Sequence, residues 1–597
     1  MDSWIEVLEF PSASRDPQAH KAYTTVLTEG ALDFLRRLVS TFEDDVNQLY
    51  RDRANRHTAY QEGRGPSEFS AATAQTRSSD WRIAPLPAAL LDRRVDIGDV
   101  DPSNGPLLRN AMLSGAQGVQ VDFDDGFCPS WRNVLIGHLN VANAARGQLP
   151  GDQEGHTRAA TDGTSTVMMV RPRAWNMIEA NVMVNGRRVS GALFDFGMFV
   201  FSSGRHLAEL SRGPFLYLSK LESASEAALW DRIFTWTEEA LDIPANTIKA
   251  CVLIESLPAA FEMDEMLWEL RNHSAGLNCG MWDYAASFIT RMGHDRRKIF
   301  PDRNRYVSMD RHFMRSYRRK VIATCHRRGA PATGGMFAGV DDGSLTTHDK
   351  QLLVSACVSA KEGDALAGAD GALVYDLSLV QPVQDAFAKH FAKGCPNQLS
   401  SYAARDADTV TAHDLLQIPT ESDVSLDSLR TNIEVCVRYV KGWLEGRGHL
   451  IMNGKVEDSA TAEISRAQIW QQIRHGVPFE SPPAAVPDAD SHSRAPLSVV
   501  THKRHKAAAA DRVTAPLVRE LIREVVCDLN AAEGHPQEGG DGTTTSTPST
   551  ISSSADEAGD LVADLVTLRE CPLFITTYLE EQRILRRGAD RPSHAKL

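Results

Sequence analysis

Between residues 115 and 376 apolar positions fall in short runs, and the runs recur at intervals of one strand plus one helix. The segments 118–123 (GVQVDF), 166–172, 192–196, 215–221, 248–255, 275–280, 330–335 and 372–376 are short strand candidates, most of them separated by helical or loop stretches of βα length. Strands of a parallel sheet are covered on both faces, so they read as unbroken apolar runs and not as an alternation. Eight such units predict an α/β protein built as a (β/α)8 TIM barrel. Upstream, Leu32, Leu35, Leu38, Val39, Phe42, Val46 and Leu49 form a stripe at helical spacing, which needs a surface to cover it and predicts a helix clamped on the barrel. Helical periodicity returns over 425–446, 461–475, 515–529 and 560–586. The predicted organisation is an N-terminal helical clasp (1–100), a catalytic barrel (101–400) and a C-terminal helical domain (401–597). The Pro/Ala- and Ser/Thr-rich stretches 481–510 and 533–556, and the polar 146–165, are expected to loop out of the core.

Composition narrows the partners. The net charge of −14 over 597 residues argues against a phosphate-tracking surface, and no nucleic-acid partner is expected. Nine cysteines never fall in a CxxC pair and no signal segment opens the chain, which predicts reduced thiols. No apolar run approaches the ~20 residues a membrane helix needs, so no membrane partner is expected. The final Ala595, Lys596 and Leu597 differ by one small residue from the Ser-Lys-Leu address read by the peroxisomal import receptor. A peroxisomal or glyoxysomal matrix location is the expectation, with a homo-oligomer possible.

The candidate chemistry sits at strand ends. Asp122, Asp124, Asp125, Arg171, Asp195, Lys220, Glu222, Glu255 and Asp283 nearly all follow the last residues of predicted strands, the face where barrels of this kind carry their active sites. Glu255 and Asp283 leave successive strands. Two carboxylates so placed repel unless a hard cation lies between them, and Mg2+ takes one or two carboxylates plus water and substrate oxygens. The alternative for each acid is a helix cap or an arginine partner. Asp458, ahead of Ser459–Thr461 at a helix start, reads on its own as an N-cap. The adjacent Cys325 and His326 read as packing residues.

Five collinear stretches carry a more specific signal: VRPRAW (170–175), LFDFG (193–197), IKACVLIESLPAAFEMDEMLWELRNHSAGLNCGMWDY (248–284), ATCHRRGAPATGGM (323–336) and EDSATAEISRAQIW (457–470). With these the chain resembles malate synthase of the shorter, glyoxysomal or A-type class. The resemblance implies a TIM barrel with helical clasp and plug, and a Mg2+-dependent transferase of the glyoxylate cycle that condenses acetyl-CoA, glyoxylate and water to malate and CoA. It further implies Glu255 and Asp283 as metal ligands, Asp122 and Asp124 as acids beside the metal, and Asp458 as the base for the acetyl methyl group. Arg171 would stabilise the enolate, and Arg171 with the Trp282 and Asp283 amides would hold glyoxylate. A permanently charged guanidinium suits an oxygen on which charge develops.

The chain also departs from the family pattern. Ala174 and Asn176 stand where Gly and His are usual, Met281 replaces an arginine, Asp124 a glutamate, and Gly454–Val456 and the 371–380 run (GALVYDLSLV) are altered. Two alternatives therefore stand beside the leading reading: a related Mg2+-dependent malyl- or citramalyl-CoA lyase, and a catalytically impaired paralogue that acts as a binding protein.

Overall fold

A computed structural model of the chain describes residues 3–151, 166–399, 409–419, 424–480, 511–534 and 553–589. Most of the three expected loop regions and the terminal tripeptide lie outside the described residues. Eight parallel strands close into a barrel: β1 (Val95–Val100), β2 (Gly118–Asp122), β3 (Val167–Arg171), β4 (Phe215–Leu218), β5 (Lys249–Ile254), β6 (Ser274–Cys279), β7 (Ala332–Phe337) and β8 (Gly371–Val374). Each pairs with the next, and β8 pairs back onto β1. Every residue of β1 to β6 is buried, which is why the runs are apolar at consecutive positions.

Two barrel assignments made from sequence are corrected. The run 192–196, expected as a strand, lies in a helix, Gly191–Phe199, all nine residues of which are buried; a fully covered helix shows no polar face and has no readable period. The true first strand, β1, falls inside the stretch assigned to the clasp. Its sequence VDIGDV disguises it, because Asp96 points into the barrel floor. There Asp96 is bonded by Arg93 and accepts from the Tyr217 hydroxyl at 2.6 Å, and a buried carboxylate answered in this way is tolerated. A small antiparallel sheet of Ile5–Val7, Ile178–Val184 and Arg187–Ser190 was not anticipated.

The striped segment forms α1 (Glu29–Gln61), a helix of 33 residues that buries Leu35, Leu38, Val39, Phe42, Val46 and Leu49 as expected. Its far end is pinned by Arg53, which donates to Glu226 at 2.7 and 3.0 Å and to the Lys220 carbonyl at 2.7 Å. Strand β6 feeds α2 (Met281–Met292). Beyond the barrel, α3 (Leu426–Leu444), α4 (Ser459–His475), α5 (Ala515–Ala532), α6 (Ser554–Thr567) and α7 (Ile575–Ala589) surround a second apolar core. Helix α4 buries every residue from Ser459 to Gln472, between α2 and α3. A short hairpin, Leu450–Met452 with Lys455–Glu457, delivers the chain to its start. The Asn453-Gly454 turn of that hairpin has φ of 52° and 69°, the left-handed pair that a tight hairpin demands and that Asn-Gly adopts readily.

Candidate active site

Strand β2 ends on Asp122, directly across the ladder from Arg171 at the end of β3. The chain then turns so tightly that the Asp122 carboxylate accepts from the amides of Asp124 and Gly126, at 2.8 and 2.6 Å. Its two oxygens also accept from Arg171 Nε and Nη2 at 2.6 and 2.5 Å. Asp99 near the end of β1 takes a second bond from Nη2 at 2.8 Å, and Asp125 takes one from Nη1 at 3.0 Å. These are four of the five donors of a guanidinium, so Arg171 keeps one N–H, on Nη1.

Lys220, just past β4, is the second cation. Its Nζ donates to Asp124 at 2.7 Å and to Asp125 at 2.6 Å and lies 4.0 Å from Asp283. Its backbone amide donates to Glu255 Oε1 at 2.7 Å. Lys220 has φ of 54° and Asp99 φ of 53°, a strained conformation for side-chain-bearing residues that characteristically survives at functional sites. Glu255 follows β5, and Asp283 stands in the first turn of α2. Among the described residues, one oxygen each from Asp125, Glu255 and Asp283 lie within 4.8 Å of one another.

Asp458 closes the mouth from above. It caps α4, its Oδ1 accepting from the Thr461 amide at 3.0 Å while the Thr461 hydroxyl accepts from the Asp458 amide at 3.0 Å. The next residue ties helix to barrel: the Ser459 hydroxyl bonds Asp125, and the Ser459 amide donates to the Asp125 carbonyl at 3.3 Å. Cap and site residue are therefore the same side chain.

Seven buried carboxylates (Asp99, Asp122, Asp124, Asp125, Glu255, Asp283, Asp458) face two buried cations. The excess of negative charge shows in their proton affinities. Burial, opposed by Lys220 and reinforced by Asp125, pushes Glu255 up to about 7. Burial also raises Asp283, and burial with the Asp125 charge raises Asp458. Burial and the neighbouring Asp458 raise Asp99. Asp125 goes the other way: burial would raise it, but Lys220 and Arg171 outweigh that and hold it at about 2. Three clustered acids that resist simultaneous ionisation make a donor set suited to a hard divalent cation.

The structure thus brings Arg171, Glu255, Asp283 and Asp458 to one mouth. Asp122 and Asp124, expected as acids beside the metal, accept from Arg171 and Lys220, and Asp125 groups with Glu255 and Asp283. Asp195 is not at the mouth at all. It sits inside the helix Gly191–Phe199, where it accepts from Arg173 and bonds His138. The half-buried Trp282 ring lies 5.3 Å under the Arg303 guanidinium. Helix α2 has no side-chain cap, so the amides of 281–283 keep the free donors of a helix start. Sequence reasoning missed Asp99, hidden in an unrecognised strand, and gave no role to Lys220 or Asp125. Their positions after predicted strands were the signal.

A closed barrel with a buried carboxylate and guanidinium cluster at its C-terminal mouth, roofed by the capped end of a C-terminal helix, defines a (β/α)8-barrel enzyme. The family description "Malate synthase, TIM barrel domain" matches residues 167–418, and "Malate synthase, C-terminal" matches 423–491. Malate synthase of Myxococcus xanthus (strain DK1622) is 41% identical over 462 residues, 77% of this chain and 83% of that one. That of Arabidopsis thaliana is 37% identical over 465 residues (77% and 81%), and the glyoxysomal enzyme of Gossypium hirsutum 36% over 466 (77% and 80%). The chain belongs to the malate synthase family. Among solved structures, a Haloferax volcanii malate synthase complex with magnesium and glyoxylate covers 64% of this chain and 89% of its own, at 15% identity and a TM-score of 0.39. A likeness that loose has no bearing on the site.

Proposed function

We propose that the chain catalyses the malate synthase reaction at this mouth, joining the methyl carbon of acetyl-CoA to the aldehyde carbon of glyoxylate, with hydrolysis of the thioester to release CoA. The observation that carries the reading is the meeting of Asp458, Arg171 and the Asp125/Glu255/Asp283 trio over one barrel mouth. Asp458 removes the methyl proton. Burial raises its proton affinity, which brings it toward the strength a general base needs. The remaining Nη1 donor of Arg171 meets the enolate oxygen as charge develops, and its fixed carboxylate partners spare it reorganisation. The free amides of Trp282 and Asp283 donate to the glyoxylate carboxylate at the start of α2. Mg2+ would be held by Glu255, Asp283 and Asp125, and when bound it supplies Lewis-acid polarisation of the glyoxylate carbonyl. The cover provided by α4 keeps bulk water from the enolate.

Thiol release from acetyl-CoA plus glyoxylate, with and without Mg2+, tests the reading. The expectation is Mg2+-dependent release by the wild type and a fall of about 10²–10⁴-fold for Asp458→Asn. A malyl- or citramalyl-CoA lyase would retain the thioester and release no thiol, and a silent paralogue would give equal background for both proteins. Several plant relatives are named glyoxysomal. We propose the same import route here through Ala595, Lys596 and Leu597; a fluorescent fusion lacking the three residues is expected to remain outside peroxisomes.

A further inference from the structure

Asp99 sits near the end of β1 in a left-handed conformation, and its amide is held there by donating to Gln120 Oε1 at 3.2 Å. The residue is 4% exposed. Its Oδ1 accepts from Arg171 Nη2 at 2.8 Å, whereas Oδ2 is buried and takes no N–H or O–H from the donors of the other described residues outside the carboxyl groups. The reaction assigned above gives this carboxyl nothing to do beyond its one bond to Arg171.

The Asp99 and Asp458 carboxyls meet in a side-chain hydrogen bond. With Oδ1 given to Arg171, Oδ2 is the oxygen left for it. Two ionised carboxylates have no proton with which to make such a bond and repel each other, so a contact of this kind holds one proton between the two groups. The surroundings decide on which group the proton rests. Asp458 stands at the start of α4 and accepts from the Thr461 amide at 3.0 Å, an arrangement that favours the anion. Burial and the Asp458 charge both oppose ionisation of Asp99, and Arg171 does not outweigh them. Asp122 and Asp125 after β2 and Tyr375 after β8 also face Asp99. Asp458 is faced by Asp125, Arg171, Asp283 of α2, Tyr439 of α3, Glu457 and Arg303.

We propose that Asp99 is a positioning acid: its Oδ2–H donates to the Asp458 carboxylate, so that the pair shares one proton and the base is held ionised and in place. The proposal rests on the assignment of Asp458 as the base. Asp99 touches no reacting atom and acts through Asp458 and Arg171.

The test follows kcat/KM for thiol release against pH, at saturating Mg2+, in the wild type, Asp99→Gly and Asp99→Asn. Both replacements suit a left-handed backbone. A hydrogen bond to the ionised form lowers a carboxyl's proton affinity, so its loss in Asp99→Gly is expected to move the acidic limb of the profile upward by about 1 pH unit. Asp99→Asn keeps an oxygen for Arg171 and an N–H for Asp458, and is expected to restore the wild-type limb. An ionised Asp99 would act in the opposite sense, because removing a like charge moves the limb downward in both variants. Infrared difference spectra of the wild type against Asp99→Asn near neutral pH read the proton without turnover. They are expected to show a D2O-sensitive carboxylic-acid carbonyl band that the variant lacks. A wild type that released no thiol but showed this band would sink the assigned reaction and uphold the shared proton. A downward shift, an unmoved limb in an active Asp99→Gly, or spectra without the band would overturn the proposal.

Discussion

Arg171 shows how much of a candidate catalytic residue is set by its surroundings. Burial works against its charge, but Asp122, Asp125 and Asp99 more than compensate, and the same three acids fix its plane so that one donor is left over. Lysine keeps the charge and loses the fork. Arg171→Lys is therefore expected to lower kcat for thiol release by about 10²–10³-fold, the usual loss for a misplaced oxyanion donor. A second residue carries a pH signature. His57 on α1 is held near 4, below the ordinary 6.5, first by burial and then by the Arg291 charge, with Glu222, His294 and Glu570 also facing it. Between pH 6.5 and 4 the unfolded chain binds a proton that the folded chain refuses, so stability falls as pH drops through that window. His57→Gln is expected to flatten the Tm-against-pH slope between pH 6.5 and 4 and leave it unchanged above.

At the scale of the element, α4 combines two duties at one position. Its Asp458 both caps the helix and faces Arg171 across the mouth. Asn caps nearly as well as Asp, whereas Ala does not cap. Asp458→Asn should thus leave the urea midpoint almost unmoved while activity collapses. Asp458→Ala should lose activity equally and cost a further ~1 kcal/mol of stability. A variant pair that moved together in both readouts would show the residue to be structural only. The cap was legible from Asp458-Ser459-Ala460-Thr461 alone, and the catalytic assignment came only with the family resemblance. Residues 192–196 and β1 mark the opposite limit: a run buried on all sides reads alike as strand or helix, and a strand with a salt-bridged aspartate in its middle reads as neither.

For the whole molecule, the clasp reaches the barrel mouth through a buried ion pair, and the C-terminal helices reach it through the bonds of Ser459 to Asp125. Arg53 of α1 reaches Glu226 and the carbonyl of Lys220, so the clasp touches the residue that organises Asp124 and Asp125. Removing one member of a buried pair leaves its partner uncompensated at a cost of about 3–5 kcal/mol. Arg53→Met is expected to lower unfolding stability in urea by that amount and, through Lys220, to depress kcat more than KM.

The order of apolar runs along the chain determined by itself that a parallel barrel forms with helical segments on either side, because strand burial and helical periodicity are local properties of the pattern. It also placed Arg171, Glu255 and Asp283 at strand ends. What only the tertiary structure decided is which acids answer which cations. Asp122, Asp124 and Asp125 are near neighbours in sequence, yet Asp122 goes to Arg171, Asp124 to Lys220, and Asp125 to both cations beside Glu255 and Asp283. That division depends on a tight turn after β2, on two left-handed residues and on the docking of α4, and the contacts that fix it join residues 49, 96 and 334 positions apart.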